Sequence, residues 1–386
     1  MSSPERLLEI LRNKGAALQG WEESVTTVRR ELFLPDTIET PHGTVSRDAS
    51  PDVWLTAVYG DLPLTTQVND GRPTEDGEYR LPTSSSSMPS MMLEMLDLLQ
   101  VADGHRVLDV GAGTGLQAAW LAHRLGSGNV TAVDVDPVLV EQAAKNVRAA
   151  GYSPHVVCGD GAAGWPHGAP YDRIIASYTV PEIPYAWVEQ VPRGRIVAPW
   201  GGSFFSHSFA ALDVSDGEAH GRFSGYPAFM RSRTARPPRG FLRDFLHHQE
   251  EAVETRTTVD PLEIARDADA QFWIGLFLPD AWHVEIEAED GSDEVTWWLL
   301  ADDRSSWAAA DHVPGQHEYV IAQYGPRRLW DEALHAWRTW RRHGSPPRDR
   351  AGITVTPDDQ HVWLDEPGRV IASTGADGPG PGRLGP

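Results

Sequence analysis

The chain has 386 residues, 40% of them hydrophobic and 23% charged, with a net charge of −22. That length leaves room for two or three domains with an ample core. The acidic balance excludes a nucleic-acid partner, which needs a basic surface. The lone cysteine, Cys158, rules out a disulfide framework within the chain and fits a reducing, cytoplasmic setting. No apolar run approaches the ~18–20 residues of a membrane span. The charged start, MSSPERLLEILRNKG, does not read as a signal peptide.

In chain order, Pro4 to Lys14 reads as an amphipathic helix and Glu22 to Leu32 as a second. Residues 36–85 read as irregular, with one strand near Val53 to Tyr59. A polar run, Thr83-Ser84-Ser85-Ser86-Ser87, leads through Met88 and Pro89 to Ser90, the expected N-cap of a helix over Met91 to Leu99. From Val107 the pattern alternates. Val107–Val110, Val130–Asp134, His155–Val157, Arg173–Ala176 and Arg195–Pro199 read as strands. Leu116–Leu125, Pro137–Ala150 and Ile183–Gln190 read as helices. Such alternation predicts a mostly parallel sheet covered on both faces, with ligands at the strands' carboxyl ends. Asp216-Gly217 marks a hairpin between Phe204–Val214 and Glu218–Phe223.

The glycines of HRVLDVGAGTGLQ, His105 to Gln117, carry the first chemical argument. Gly111, Gly113 and Gly115 lie between a strand and a helix N-terminus, where backbone approaches a ligand closely and free N–H groups face it. Asp134 ends the next strand, where an acid suits a ribose with two hydroxyls. Leu116 fills the last position of the dinucleotide fingerprint, which disfavours a pyrophosphate. The ligand these features favour is S-adenosylmethionine. Asp109 either contacts its methionine part or braces the glycine loop.

Beyond the linker at 235–240, residues 241–372 hold nine of the fifteen tryptophans. Phe272–Leu278, His283–Ala288, Val295–Leu300 and Glu318–Ala322 read as strands, Leu329 to Arg342 as a helix, and Ile353–Val355 with His361–Leu364 as a closing hairpin. The tail from 373 to 386 is glycine- and proline-rich and is expected to be disordered. The histidines lack metal-ligand spacing, and no G-x-S-x-G is present, so neither a metal site nor an α/β-hydrolase is expected.

These residues resemble the protein-L-isoaspartate O-methyltransferases. Gly111-Ala112-Gly113-Thr114-Gly115-Leu116-Gln117-Ala118-Ala119 looks like that family's first motif, and Asp134-Val135-Asp136-Pro137 like its second-strand acid motif. Gly159-Asp160-Gly161 with Gly164-Trp165-Pro166, Pro181-Glu182-Ile183-Pro184, Phe33-Leu34-Pro35 and Tyr59-x-Asp61-x-Pro63-Leu64 match further blocks, over roughly residues 30–230. The resemblance implies a Rossmann-like class I methyltransferase fold with N-terminal helices and a C-terminal α+β extension. The cofactor-binding set is Asp109, Gly111, Gly113, Gly115, Gln117, Asp134, Asp160 and Gly161, with Asp160 accepting from the adenine amino group.

The family's Ser-x-Pro segment, beside the acceptor carboxylate, corresponds to Ser87 and Pro89. Here its flank is a serine run instead of threonine and isoleucine. That departure and the extension resemble variant members of ribosomal peptide clusters in actinomycetes. Those methylate an ordinary aspartate in a modified peptide (lanthipeptide, lasso peptide or graspetide), and the ester closes to an aspartimide. The expected function is therefore methylation of an aspartate carboxylate in a macrocyclic precursor peptide, a lanthipeptide first. The alternatives are isoaspartyl repair and a cofactor-binding module without turnover. Ser87 is the expected catalytic residue; Ser84, Ser85, Ser86, Met88, Pro89, Tyr178 and Thr179 are the expected substrate contacts. Four regions follow: a helical and substrate-loop region over 1–100, the cofactor domain over 101–234, an α+β domain over 241–372 that either docks peptide or stabilises, and the tail.

Overall fold

A ten-stranded sheet runs through the computed structural model, which describes residues 2–75, 77–236 and 241–373. Its parallel half places His155–Cys158, Val130–Asp134, Val107–Val110, Arg173–Ala176 and Arg193–Trp200 side by side in that order. The chain order reverses between Val107–Val110 and Arg173–Ala176. A crevice therefore opens at their carboxyl ends, where the glycine loop begins. Every residue of Val107–Val110 is buried, as expected for a strand covered on both faces. The helices Leu116–Leu125, Pro137–Ala149 and Tyr185–Gln190 follow the expected alternation. This is the class I S-adenosylmethionine-dependent methyltransferase fold, carrying an extra strand-rich C-terminal region.

The hairpin Ser208–Ser215 and Glu218–Ser224 extends the sheet antiparallel. Both turn residues are left-handed, Asp216 at φ 55° and Gly217 at φ 81°, as a two-residue hairpin turn requires. The chain then leaves the sheet and later returns to it. Ala351–Val355 pairs with Glu218–Ser224, and Gln360–Leu364 and Val370–Ser373 complete the edge. Residues 241–372 are therefore not one separate domain. Their last three strands belong to the methyltransferase sheet, and the excursion before them forms its own five-stranded antiparallel sheet. Residues 237–240 of the expected linker and 374–386 of the expected tail lie outside the described residues.

The excursion packs hard against the main sheet. Trp200, Phe204, Phe205, Phe272, Trp273, Trp297, Trp330 and Trp337 share one buried cluster with the methyltransferase strands. Phe272–Leu278, expected as a strand, lies mostly within the helix Ala268–Phe277, whose N-cap Asp267 accepts from the Asp269 and Ala270 N–H groups. A short helix apolar on most sides has no clear period, so it reads like a buried strand.

The N-terminal region corrects several expectations. Residues 36–85 are not irregular. Thr37–Thr40, Gly43–Ser46, Leu64–Val68 and Pro82–Ser86 form a four-stranded antiparallel sheet. The segment near Val53 is the helix Pro51–Val58, started by a proline at its first position, with Trp54 and Val58 buried four residues apart. The second helix ends at Thr27, and a 3₁₀ turn covers Arg30–Phe33. The later helix starts at Pro89, not Met91, and its N-cap is Met88 rather than Ser90. Asp61 caps it from a distance, accepting from the Ser90 N–H at 2.9 Å. Cys158 is exposed. Among the described residues, no helix is long and apolar enough to cross a membrane.

Candidate active site

At the carboxyl ends of the parallel strands lies a pocket of about 720 Å³, part of it open to solvent. Gly111 and Gly113, both at positive φ, line it. A Cβ on Gly111 would meet the Ser177 hydroxyl at 2.8 Å and the Tyr178 ring at 3.0 Å, so only glycine lets the loop lie this close. Gly115 does not line the pocket. It starts the helix Leu116–Leu125 at φ 88°, where a Cβ would press on Ala143 and Val147 of the next helix.

Asp134 is held by backbone on both oxygens. Oδ2 accepts from Gly113 N–H at 2.9 Å and Oδ1 from Asp136 N–H at 3.0 Å. Each carboxylate oxygen keeps a second lone pair for a ribose hydroxyl. Asp160 and Gly161 line the same pocket. Asp160 Oδ1 accepts from Ala162 N–H at 3.0 Å, and its carboxylate is exposed toward solvent. A Cβ on Gly161 would strike the Tyr178 hydroxyl and Val110, both at 2.6 Å. Burial, then the charges of Asp160 and Asp134, push the Tyr178 phenol above its ordinary range, so it stays a neutral hydroxyl.

Asp109 sits beneath the loop, fully buried and outside the pocket lining. Burial pushes its carboxyl up to about 7; the Gln117 hydrogen bond works the other way, and the Asp134 charge adds to the rise. Gln117 Nε2 donates to Asp109 Oδ1 at 2.7 Å, while Oδ2 has no partner. Neither residue lines the pocket; Gln117 is bonded to Asp109 beneath the loop.

The serine run forms the facing wall. Pro82–Ser86 is a strand paired with Leu64–Val68, so its side chains alternate. Ser84 and Ser86 are buried. The Ser84 hydroxyl accepts from Thr66 Oγ1 at 3.2 Å, and the Ser86 hydroxyl accepts from Arg30 Nε at 3.3 Å. Ser85 and Ser87 are half-buried and line the pocket with Ser84, and their hydroxyls bond to no other described residue. Ser86, Met88 and Pro89 do not line it. Thr179 is not brought there either: it is fully buried, its hydroxyl donates to the Phe229 carbonyl at 3.2 Å, and its backbone pairs with Met230 and Ser232.

Two features escape the sequence reading. The first is Arg30, 1% exposed, which donates to the carbonyls of Val58, Gly60, Leu62, Ser86 and Ser87 at 3.0–3.2 Å. Burial lowers its pKa to about 9, partly offset by Asp61, which still leaves it charged at neutral pH. The second is the segment Met230–Thr234, which closes one side of the pocket. Arg233 ties it down, donating to Asp136 at 3.0 Å, to Gln67 at 2.6 Å and to the Thr83 carbonyl at 3.2 Å. Burial alone would raise the Asp136 carboxyl, but it is held below its ordinary value by Gln67 Nε2, which donates to its Oδ2 at 2.9 Å, by the N–H groups of Val138 and Leu139, and by Arg233. Neither a buried arginine nor a returning strap carries a sequence motif.

A family model described as protein-L-isoaspartate(D-aspartate) O-methyltransferase matches residues 2–218. The chain belongs to this family. Its relatives include two proteins named protein-L-isoaspartate O-methyltransferase. That of Methanothrix thermoacetophila is 36% identical over 200 residues, 51% of this chain and 80% of its own. That of Methanopyrus kandleri is 37% identical over 231 residues, 58% of this chain and 89% of its own. A solved structure titled protein-L-isoaspartate O-methyltransferase superposes with a TM-score of 0.54 at 22% identity, over 94% of this chain and 100% of that one. The shared fold thus reaches into the C-terminal region that the family match leaves out.

Membership makes the chain an S-adenosylmethionine-dependent protein carboxyl O-methyltransferase. The pocket lining is compatible with that cofactor: Gly111 and Gly161 stand where a Cβ would clash, and Asp134, fixed by the Gly113 N–H, is the acid that would hold a ribose there.

Proposed function

We propose that the methyl acceptor is an aspartate side-chain carboxylate in a ribosomally made, modified peptide, bound against Ser85 and Ser87. The observation that carries this reading is the serine run. Its uncommitted hydroxyls line the pocket where the family's apolar-flanked Ser-x-Pro segment is expected. The C-terminal extension lends it no weight, because a structure titled protein-L-isoaspartate O-methyltransferase is alike over nearly the whole chain. The second reading, isoaspartyl repair, is favoured by the family match and by the relatives' names.

Both readings use the same chemistry. S-adenosylmethionine supplies a methyl group on a sulfonium, open to in-line attack. The acceptor carboxylate is ionised near pH 7, so no general base is required. The chain's work is to position and to exclude water. Ser87 and Ser85 donate to the carboxylate oxygen that does not attack. Arg30 fixes the backbone that carries them. Tyr178, packed on Gly111 and Gly161, sets the boundary between loop and acceptor. After esterification, the amide nitrogen of the next peptide residue attacks the ester carbonyl, loses its proton and expels methanol. This closure to aspartimide needs no further group from the chain.

The test is intact-mass analysis of two peptides given the cofactor: an isoaspartyl hexapeptide, and a ring-closed lanthipeptide carrying an ordinary aspartate. Gain of one methyl and then loss of methanol on the ring-closed peptide alone supports the proposal. Methylation of the isoaspartyl peptide alone assigns repair. Ser87→Ala should lower kcat at least tenfold while cofactor affinity stays within about twofold. Equal losses in both would remove Ser87 from the acceptor site.

A further inference from the structure

A second groove of about 890 Å³ opens beside the reaction pocket and shares Tyr178, Ser232 and Thr234 with it. One side is the segment after the strand Arg173–Ala176, including Pro181, Glu182 and Pro184. The other is the turn between the returning strands Ala351–Val355 and Gln360–Leu364, including Pro357 and Asp358. The two sides are joined by a reciprocal amide pair. Ile183 N–H donates to Gln360 Oε1 at 3.0 Å, and Gln360 Nε2 donates to the Ile183 carbonyl at 2.9 Å. The C-terminal strands thereby complete a surface that the methyltransferase sheet alone would leave open.

The groove's charge has one sign. Among the described residues, Glu182, Asp358 and Asp359 are its charged side chains, with no cation lining it. Asp359 is committed to its own hairpin, accepting from the Thr356 hydroxyl at 2.9 Å and the Ser373 hydroxyl at 3.4 Å. Glu182 and Asp358 are exposed and form no ion pair with a described residue. Proline-rich walls with two uncommitted carboxylates suit an extended peptide bearing lysine or arginine.

We propose that this groove holds the part of the peptide substrate adjoining the acceptor residue, and that it selects a basic side chain there. The proposal rests on the peptide-carboxylate reading of the adjoining pocket. Exposed ion pairs are individually weak, so two of them give a preference of about three- to tenfold, diminishing with salt.

The experiment uses the full chain with S-adenosylhomocysteine and fluorescein-labelled peptides. An aspartyl and an isoaspartyl test sequence are each made with lysine or with glutamate flanking the acceptor. Anisotropy gives binding at low and high salt, and methylation with the true cofactor gives KM. Three proteins are compared: the parent, the pair Glu182→Gln with Asp358→Asn, and a control pair, Glu5→Gln with Glu9→Gln, on the first helix. The expected result is about three- to tenfold tighter binding and lower KM for the lysine peptides. The groove pair abolishes that preference and the control pair keeps it. Equal binding of lysine and glutamate peptides overturns the proposal. So does a preference that survives the groove substitutions, since the net charge of −22 would then explain it. A preference that tracks the groove with no methylation of any peptide sinks the functional reading and leaves the groove standing. Methylation without charge preference does the reverse.

Discussion

Arg30 Nη2 donates to the Ser87 carbonyl at 3.0 Å, joining two residues 57 positions apart. The same guanidinium holds the Ser86 carbonyl and three carbonyls of the segment Val58–Leu62. Removing it leaves five carbonyls, two buried and three part-buried, short of a donor. Arg30→Met should therefore destabilise the chain by about 3–5 kcal/mol, read from chemical denaturation. In the protein that remains folded, peptide KM should rise while cofactor affinity, measured by calorimetry, stays within about twofold. Loss of cofactor binding with unchanged peptide KM would mean that Arg30 supports the glycine loop instead.

Asp109 should make stability depend on pH. Its folded carboxyl titrates near 7 and its ordinary value is 3.8, so between those values the native state keeps a proton that the unfolded chain releases. Stability from this group is full below about pH 4 and falls as pH rises toward 7. The difference is at most roughly 4 kcal/mol. Thermal melts of the parent and Asp109→Asn, compared from pH 4 to 8, should show the parent losing ground to the variant across that window. Parallel curves would refute the assignment.

Two of the pocket glycines should fail in different ways. Gly111→Ala meets Ser177 and Tyr178 within 3.0 Å, so both stability and cofactor affinity should fall, the latter at least tenfold. At Gly113 the nearest atoms to an added Cβ, Gly111 O, Ser84 Oγ and Ser85 O, are 3.8 Å away, so the chain has room. Gly113→Ala should cost stability only about 1 kcal/mol for its positive φ, yet fill space on the pocket side and weaken the cofactor. Calorimetry and denaturation on both variants separate the two effects.

Cutting the chain after residue 240 removes three strands of the ten-stranded sheet and half of a tryptophan-rich core. The truncated protein should be insoluble or lack a cooperative melt, exposing the edge Glu218–Ser224 and Trp200 with Phe223. A soluble truncation with full cofactor binding would show that the extension is an accessory.

The parallel strands and the glycine loop were legible because buried apolar runs, Gly-x-Gly spacing and the strand-end acid Asp134 are local signals. The same locality hid the rest. Ser84–Ser86 has no strand propensity; it is strand because Leu64–Val68 pairs with it and Arg30 fixes its end. Ala268–Phe277 is buried between layers and shows no usable period. Thr179 follows a strand end, where pocket residues are expected, yet the returning segment Phe229–Ser232 covers it. That segment contributes Arg231 and Arg233 to the pocket from more than fifty residues away, with no motif to announce them.

The central claim is that methyl goes to a carboxylate of a peptide. It is tested most directly by giving the full chain trideuteriomethyl-labelled cofactor with the isoaspartyl hexapeptide and the ring-closed peptide, then locating the label by tandem mass spectrometry. The label should lie on a side-chain or isoaspartyl carboxyl oxygen and be released as methanol by mild base. Label on nitrogen or sulfur, stable to base, would contradict it.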